Sequence, residues 1–140
     1  MPYRNLKELG FRKPQLISTD KEINKKFVLS VPRESGVYVV MVQCDIKRLR
    51  GQSNILYIGR SRNLQRRMKY LLKYFLPADF VGSWGRHTAR DAIKTIITET
   101  DHKPEISYRV FSNYKDMESV LLQAYCKNHI EGPPLNNQRK

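Results

Sequence analysis

Cysteine and histidine are scarce in this 140-residue chain, and that scarcity excludes several kinds of site. Two cysteines and three histidines cannot supply the Cys/His clusters that bind structural zinc. Cys44 and Cys126 each lie within an apolar stretch, so we expect two buried free thiols rather than a disulfide. No apolar run approaches the ~20 residues that cross a bilayer, and the N-terminus lacks the apolar core of a secretory signal. The sequence therefore predicts a cytoplasmic protein with no membrane partner.

Acidic residues are also scarce, because 13 aspartates and glutamates face 26 lysines and arginines. The resulting net charge of +13 on one domain-sized chain predicts a polyanionic partner, and nucleic acid is the default choice. An inert basic surface is the alternative. No phosphate-binding loop or nucleophile elbow is present, so no small-molecule cofactor is expected.

The apolar patterns predict an α+β fold, with a small three-stranded antiparallel sheet flanked by helices. Runs rich in β-branched and aromatic residues predict strands at about 37–44, 54–59 and 106–111. Apolar residues at helical spacing predict helices at about 62–76, 88–98 and 114–128.

Residues 1–32 are basic and only loosely periodic, and we interpret them as an extension packed on a domain of residues 33–140. Leu6, Leu9 and Phe11 suggest a short helix, whereas 27–29 fits a short strand or a core anchor.

The helix after the second strand carries a strongly one-sided pattern, with Ser61 as its expected N-cap. Arg67 falls just off the edge of its apolar side, where a long side chain can extend along the core toward a neighbouring site. The apolar positions are Leu64, Met68, Leu71, Leu72 and Phe75, and the basic residues opposite them are Arg62, Arg66, Lys69 and Lys73.

In the last helix, which Asn113 is expected to cap, a buried stripe of Met117, Val120, Leu121 and Ala124 is predicted. Glu118 lies at the margin of that stripe, on the flank shared with Tyr125 and His129, and Gln123 should point to solvent. A carboxylate at the margin can reach a cleft between helix and sheet, but an ordinary surface glutamate is the alternative.

Two tripeptides carry the most specific signal in the chain. Gly36-Val37-Tyr38 opens one predicted strand, and Tyr57-Ile58-Gly59 closes the next after a connection of 18 residues. Arg67 follows ten residues after Tyr57. In an antiparallel pair we expect the two tyrosines near opposite chain ends, so that only a register shift would bring both to one site. Over residues 33–138 the chain resembles the GIY-YIG nuclease family, which is named for these tripeptides.

The resemblance implies a metal-dependent DNA endonuclease that hydrolyses phosphodiester bonds. Tyr38 would be the general base, Tyr57 would orient the phosphate or a water, and Arg67 would bind the scissile phosphate bidentately. Glu118 would hold one Mg²⁺ or Mn²⁺, and Asn136 would brace the site. A free tyrosine has a pKa near ~10, so Tyr38 would need nearby cations to act as a base at neutral pH. The residues expected to bind nucleic acid are Arg60, Arg62, Arg66, Lys69, Arg86 and His87.

Two departures from the family pattern keep alternatives open. Leu71 stands where repair members carry a tyrosine, with Tyr70 beside it, and the interval from Glu118 to Asn136 is longer than in the family. Aligning the leucines of the last helix with those of repair members would place Gln123, rather than Glu118, in the metal position. A non-catalytic basic module that binds DNA or RNA is the second hypothesis; loss of Tyr38, Arg67 or Glu118 would have favoured it, and all three are present. The sequence does not decide between a monomer and a homodimer.

Overall fold

The structure, a computed structural model, describes residues 3–17, 20–75, 104–134 and 136. The predicted helix at 88–98 lies outside these residues. The elements described are, in chain order, α1 (Tyr3–Glu8), β1 (Gln15–Leu16), α2 (Lys21–Ser30), β2 (Gly36–Lys47), β3 (Gln52–Ser61), α3 (Leu64–Phe75), β4 (Glu105–Val110) and α4 (Tyr114–His129). None of these helices is long and apolar enough to cross a membrane.

The described strands form one antiparallel sheet flanked by helices, as the predicted α+β class requires, in the order β1-β4-β2-β3. The prediction of three strands was wrong, because β1 pairs with β4 through Gln15↔Ile106 and Leu16↔Glu105. A strand of two residues is too short to leave an alternating pattern in the sequence.

The pairing of β2 with β3 corrects the expectation about the two tyrosines. Tyr38 lies opposite Gly59 and Val40 lies opposite Tyr57, so the two tyrosines are diagonal neighbours on one face of the sheet. In an antiparallel hairpin the start of the first strand meets the end of the second, which is where the two tripeptides stand. The register shifts of the hairpin come after Val40, on the loop side of both tyrosines. No shift is therefore needed to bring them together.

The face of the sheet that carries Tyr38, Tyr57 and Tyr108, here called the tyrosine face, is covered by α2 and α3. The predicted apolar stripe of α3 is confirmed for Leu64, Met68, Leu71 and Leu72, which are all buried. The prediction of a strand at 27–29 was wrong, because these residues lie within α2. Phe27 and Val28 are nevertheless core anchors, packed against the tyrosine face.

The other face of the sheet, here called the opposite face, carries Val37, Val39 and Ile58 and packs against α1 and α4. The predicted stripe of α4 was confirmed for Leu121, which is buried, and Met117 and Ala124 are partly buried against this face. It was wrong for Val120, which is 52% exposed. Glu118, Tyr125 and His129 are buried in addition, so the helix is rotated toward the flank that carries them. Tyr125 is a large side chain that is completely buried, and turning it inward brings its flank of the helix onto the sheet.

Two smaller predictions about α4 also need correction. Asn113 occupies the N-cap position, but its side chain makes no capping hydrogen bond. Cys126 is a free thiol, as expected, yet it is exposed rather than buried. The reason is the same rotation of the helix, because Cys126 follows the buried Tyr125 and therefore points away from the sheet.

Candidate active site

The two tyrosines of the tripeptides lie side by side above Gly59. Their ring centroids are 6.0 Å apart, and both side chains are buried. A Cβ atom on Gly59 would lie 2.5 Å from both Cζ and Oη of Tyr38, and 2.7 Å from Cε1 of Tyr57. Only glycine therefore fits beneath the two rings. The second tripeptide thus has a packing reason for its glycine that is independent of any chemistry.

Gly36 of the first tripeptide is required for a similar reason. A Cβ atom there would lie 2.2 Å from the backbone oxygen of Arg109 on β4 and 2.6 Å from Cδ1 of Leu64 on α3. The glycine lets α3 and β4 approach the start of β2 closely. Both tripeptides therefore hold the same end of the β2–β3 hairpin together, and we call this end the tyrosine end.

Arg67 lies exposed on α3, with its guanidinium carbon 5.7 Å from the centroid of the Tyr70 ring. This is the geometry of a cation–π contact, which holds a long side chain in place while leaving its N–H donors usable. Ser61, Arg66, Arg67 and Tyr70 line a cavity of about 240 Å³. The cavity opens beside two arginines, so it suits an anionic group.

The start of α3 is fixed by a polar turn that differs from the predicted one. Asn63, rather than Ser61, caps the helix, since its Oδ1 accepts a hydrogen bond of 3.0 Å from the backbone N–H of Arg66. Ser61 Oγ accepts from the backbone N–H of Asn63 at 3.1 Å and stabilises that turn. These contacts set where Arg66 and Arg67 leave the helix.

Glu118 is a buried carboxylate that is only partly satisfied. The residue is 6% exposed, and its Oε1 lies 3.5 Å from Nη1 of Arg60. Among the described residues, no donor reaches its Oε2, although that atom is buried. Leaving a buried charged oxygen without a partner is costly. Gln123, the alternative metal residue, is exposed, as its helical position predicted.

The surroundings of Glu118 fit a divalent cation that keeps most of its own ligands. Within the described ranges, no group of three or more histidines, cysteines, aspartates and glutamates could enclose a metal ion. A carboxylate oxygen without a partner can still provide one hard ligand. Mg²⁺ is commonly held by one or two carboxylates, with water and phosphate oxygens completing its coordination.

The sheet separates the tyrosine pair from the Arg60–Glu118 pair. Gly59 pairs with Tyr38, whereas Arg60 pairs with Val37, which belongs to the opposite face. Side chains of successive strand residues point to opposite faces, so Arg60 and the α4 residue Glu118 lie across β3 from the two tyrosines. Since Arg60 is one residue from the end of β3, a phosphate that touched both pairs would have to lie across that strand end.

Asn136 is joined to the central residue of the second tripeptide. Its Oδ1 accepts from the backbone N–H of Ile58, and its Nδ2 donates to the backbone oxygen of Ile58, both at 2.9 Å. The backbone N–H of Asn136 in turn donates to the oxygen of Pro133 at 3.0 Å, which fixes the approach of the chain. Asn136 therefore positions β3 between the tyrosine pair and Arg60.

The other end of the hairpin, here called the loop end (residues 48–51), makes contacts that sequence reasoning missed. Nη2 of Arg48 lies 3.0 Å from Oε1 of Glu131, and the backbone N–H of Leu49 donates to Oε2 of Glu131 at 2.6 Å. The backbone N–H of Arg50 donates to the oxygen of His129 at 3.2 Å, and Nδ1 of His129 lies 2.8 Å from the oxygen of Arg50. The longer segment after Glu118 thus holds the loop end against the C-terminus of α4. The one available signal was the basic Arg48–Arg50 run, because arginines bind the free carbonyls at helix C-termini.

The other residues that were predicted to bind nucleic acid lie partly within and partly outside the described ranges. Arg62, just before α3, and Arg66 and Lys69 on α3 are exposed, as predicted. Arg86 and His87 lie outside the described residues.

No protein-family model matches this sequence, and no significant match was found among curated proteins or among solved structures.

Proposed function

We propose that this chain is a metal-dependent DNA endonuclease with a GIY-YIG-like domain. The observation that carries the proposal is the buried oxygen of Glu118, which lacks a donor among the described residues and lies beside the half-exposed Arg60. In a chain of net charge +13, a carboxylate in this state suits a cation that is shared with a phosphate.

In this proposal the residues of the tyrosine face activate the nucleophile and bind the scissile phosphate. Tyr38 accepts the proton of the attacking water, and Tyr57, its diagonal neighbour, orients that water or the phosphate. Arg67 offers two parallel N–H donors to phosphate oxygens from the cavity on α3, a geometry that an arginine fork suits. Stabilising the charge that develops on these oxygens is the largest expected contribution to rate.

The opposite face supplies the metal ligand. Arg60 pairs with Oε1 of Glu118, which leaves Oε2 for the metal ion. A divalent cation bound there would neutralise charge on the phosphate oxygens and make a coordinated water more acidic. Asn136 holds Ile58, and through it the end of β3 across which the phosphate would lie.

The test is nicking of supercoiled plasmid by the purified chain with Mg²⁺, together with DNA affinity measured by fluorescence anisotropy. Tyr38→Phe and Arg67→Ala should each abolish nicking and leave most of the affinity, since many other cations bind the DNA. Tyr108→Phe is the matched control, because Tyr108 is a buried tyrosine opposite Tyr38 in the same face, and it should nick normally. Nicking by Tyr38→Phe at the wild-type rate would remove Tyr38 from the role of base.

A second candidate function is supported by one specific observation. Because Tyr38 and Glu118 lie on opposite faces of the sheet, the chain fits equally a basic module that binds nucleic acid without cutting it. That function predicts no metal-dependent nicking by the wild type. It also predicts a binding constant whose logarithm falls by about 0.9 per neutralised phosphate with the logarithm of salt concentration.

A further inference from the structure

A groove of about 710 Å³ lies between α2 and α3 on the outside of the tyrosine face. Five exposed cations line it, which are Lys21, Lys25, Arg33, Arg66 and Lys69. None of the described lining residues is acidic, and none of the five cations forms an ion pair with a described residue. One wall, α2, lies outside the stretch that resembles the nuclease family, so the groove is an additional feature of this chain.

The two walls of the groove are fixed to each other by hydrogen bonds. Nε2 of Gln65 donates to the oxygen of Val31 at 3.1 Å, and Nε of Arg33 donates to Oε1 of Gln65 at 2.9 Å. The backbone N–H of Gln65 also donates to the oxygen of Pro32 at 3.2 Å. The segment after α2 is thereby tied to the first turn of α3, so the groove is formed before a ligand arrives.

The lining of the groove combines its cations with apolar side chains. Val28, Leu29 and Leu72 contribute apolar surface, and Leu29 is 68% exposed. Cations beside apolar surface fit an amphiphilic polyanion, such as a nucleic-acid strand whose phosphates contact the cations while sugars and bases cover the leucines. Filling the groove would remove the exposed leucine from water.

The groove and the cavity that contains Arg67 share one lining residue. Arg66 lines both, so Arg67 lies next along α3 to a cation of the groove. A strand whose phosphate lies at Arg67 would therefore enter the groove with the nucleotides next to that phosphate.

We propose that the α2–α3 groove binds the phosphodiester backbone of a nucleic-acid substrate adjacent to the phosphate that Arg67 holds. The binding itself stands on the groove, and only its position relative to cleavage rests on the proposed nuclease function. The N-terminal segment would then determine how firmly the substrate is held and along which path it leaves the site.

The test compares two double variants that remove the same charge. Lys21→Gln with Lys25→Gln removes two cations from the groove, whereas Lys13→Gln with Lys26→Gln removes two exposed cations that do not line it. Affinity for a fluorescein-labelled DNA duplex and for a single strand is measured over a series of salt concentrations. The groove variant should lose about tenfold in affinity and about 1.8 in the salt-dependence slope on duplex, which corresponds to two phosphates. The control should stay within about twofold with an unchanged slope.

Equal effects of the two double variants would overturn the proposal, because overall charge rather than the groove would then decide binding. It would be overturned as well if the groove variant lost affinity for polyglutamate or for phosphatidylserine vesicles but not for DNA. Plasmid nicking at saturating protein separates this proposal from the proposed function. The control variant, Lys13→Gln with Lys26→Gln, should nick at the wild-type rate, and Tyr38→Phe should not nick. If the wild type does not nick but the groove variant alone loses DNA affinity, the nuclease function fails and the groove proposal stands.

Discussion

The two ends of the β2–β3 hairpin each carry one arginine–glutamate pair, and the pairs are satisfied very differently. At the loop end, the Glu131 side chain is 24% exposed, yet both of its oxygens have a close partner in Arg48 and Leu49. At the tyrosine end, the Glu118 side chain is 8% exposed, but its one partner within the described part of the chain is Arg60 at 3.5 Å. Folding stability alone would favour closer partners for Glu118 than for Glu131, because desolvation penalises the more buried charge more strongly. The contacts at the loop end thus favour stability. At the tyrosine end, Oε2 of Glu118 has no donor among the described residues, and the proposed metal ion would supply its partner.

Replacing each glutamate by glutamine should separate these two roles, and this is the largest effect we expect. Glu118→Gln should reduce Mg²⁺-dependent nicking by at least about 100-fold, because the metal ligand loses its charge. Its free energy of unfolding should be unchanged or higher, since a buried charge is removed. Glu131→Gln should lower the free energy of unfolding by about 1–2 kcal/mol and leave nicking intact. Urea denaturation and the plasmid assay measure the two quantities.

The control for this comparison is Gln123→Ala on the exposed side of α4, which should change neither quantity. The interpretation would be wrong if Gln123→Ala abolished nicking while Glu118→Gln preserved it. Restoration of nicking by Gln123→Glu in the Glu118→Gln background would likewise place the metal at position 123.

The glycines at the two ends should respond to substitution in different ways, with a smaller effect. Gly59→Ala forces a methyl group against the rings of Tyr38 and Tyr57 and should cost about 2–3 kcal/mol of unfolding free energy. Gly51 at the loop end has a φ of +69°, and a Cβ atom there would make only ordinary van der Waals contact with the His129 ring, so Ala should cost about 1 kcal/mol. Asn, which accepts positive φ, should be tolerated at 51 but not at 59. Thermal denaturation of the Ala and Asn variants at positions 51 and 59 measures these losses. Equal losses of unfolding free energy at the two positions would show that packing at the tyrosine end is loose.

A pH effect at the loop end is the smallest we expect. Burial raises the pKa of the Tyr125 phenol, while Ser53 and Arg48 act in the opposite direction. Below pH ~10 this tyrosine is protonated in both the folded and the unfolded chain. As the pH rises above that value, the unfolded chain loses the proton first, so the free energy of unfolding falls. In Tyr125→Phe this alkaline fall, followed by urea denaturation, should be shallower, and nicking at neutral pH should not change. An equal fall in both proteins would show that Tyr125 ionises alike when folded and unfolded.

Local periodicity predicted some of these features and misled on others. The stripe of α3 was predictable because its apolar and basic residues separate cleanly onto two sides. In α4 the same reasoning placed Val120 in the core and Glu118 at the margin, because it considered only the polarity of each residue by itself. The position of the helix depends on burying the large ring of Tyr125, and Glu118 is carried inward with it.

Contacts between distant segments could not be predicted from the sequence. The β2–β3 register is an exception, because it follows from ordinary hairpin geometry. The tyrosine pair could therefore have been predicted but was misjudged.

The contacts of Glu131 with the loop end join a side chain to atoms about 80 residues away and leave no local pattern. The same holds for Asn136, whose role the resemblance suggested but whose partner, Ile58, only the structure shows.

The amide of Asn136 also limits how the sheet can grow. β3 lies at one edge among the described strands, and such an edge normally offers its free N–H and C=O groups to any extended chain. At Ile58 both groups are already bonded to Asn136, which acts as a neighbouring strand one residue long. A second copy of the chain that added a strand here would first have to displace that amide and lose two hydrogen bonds. Asn136→Ala would therefore expose a template for edge-to-edge association at the tyrosine end.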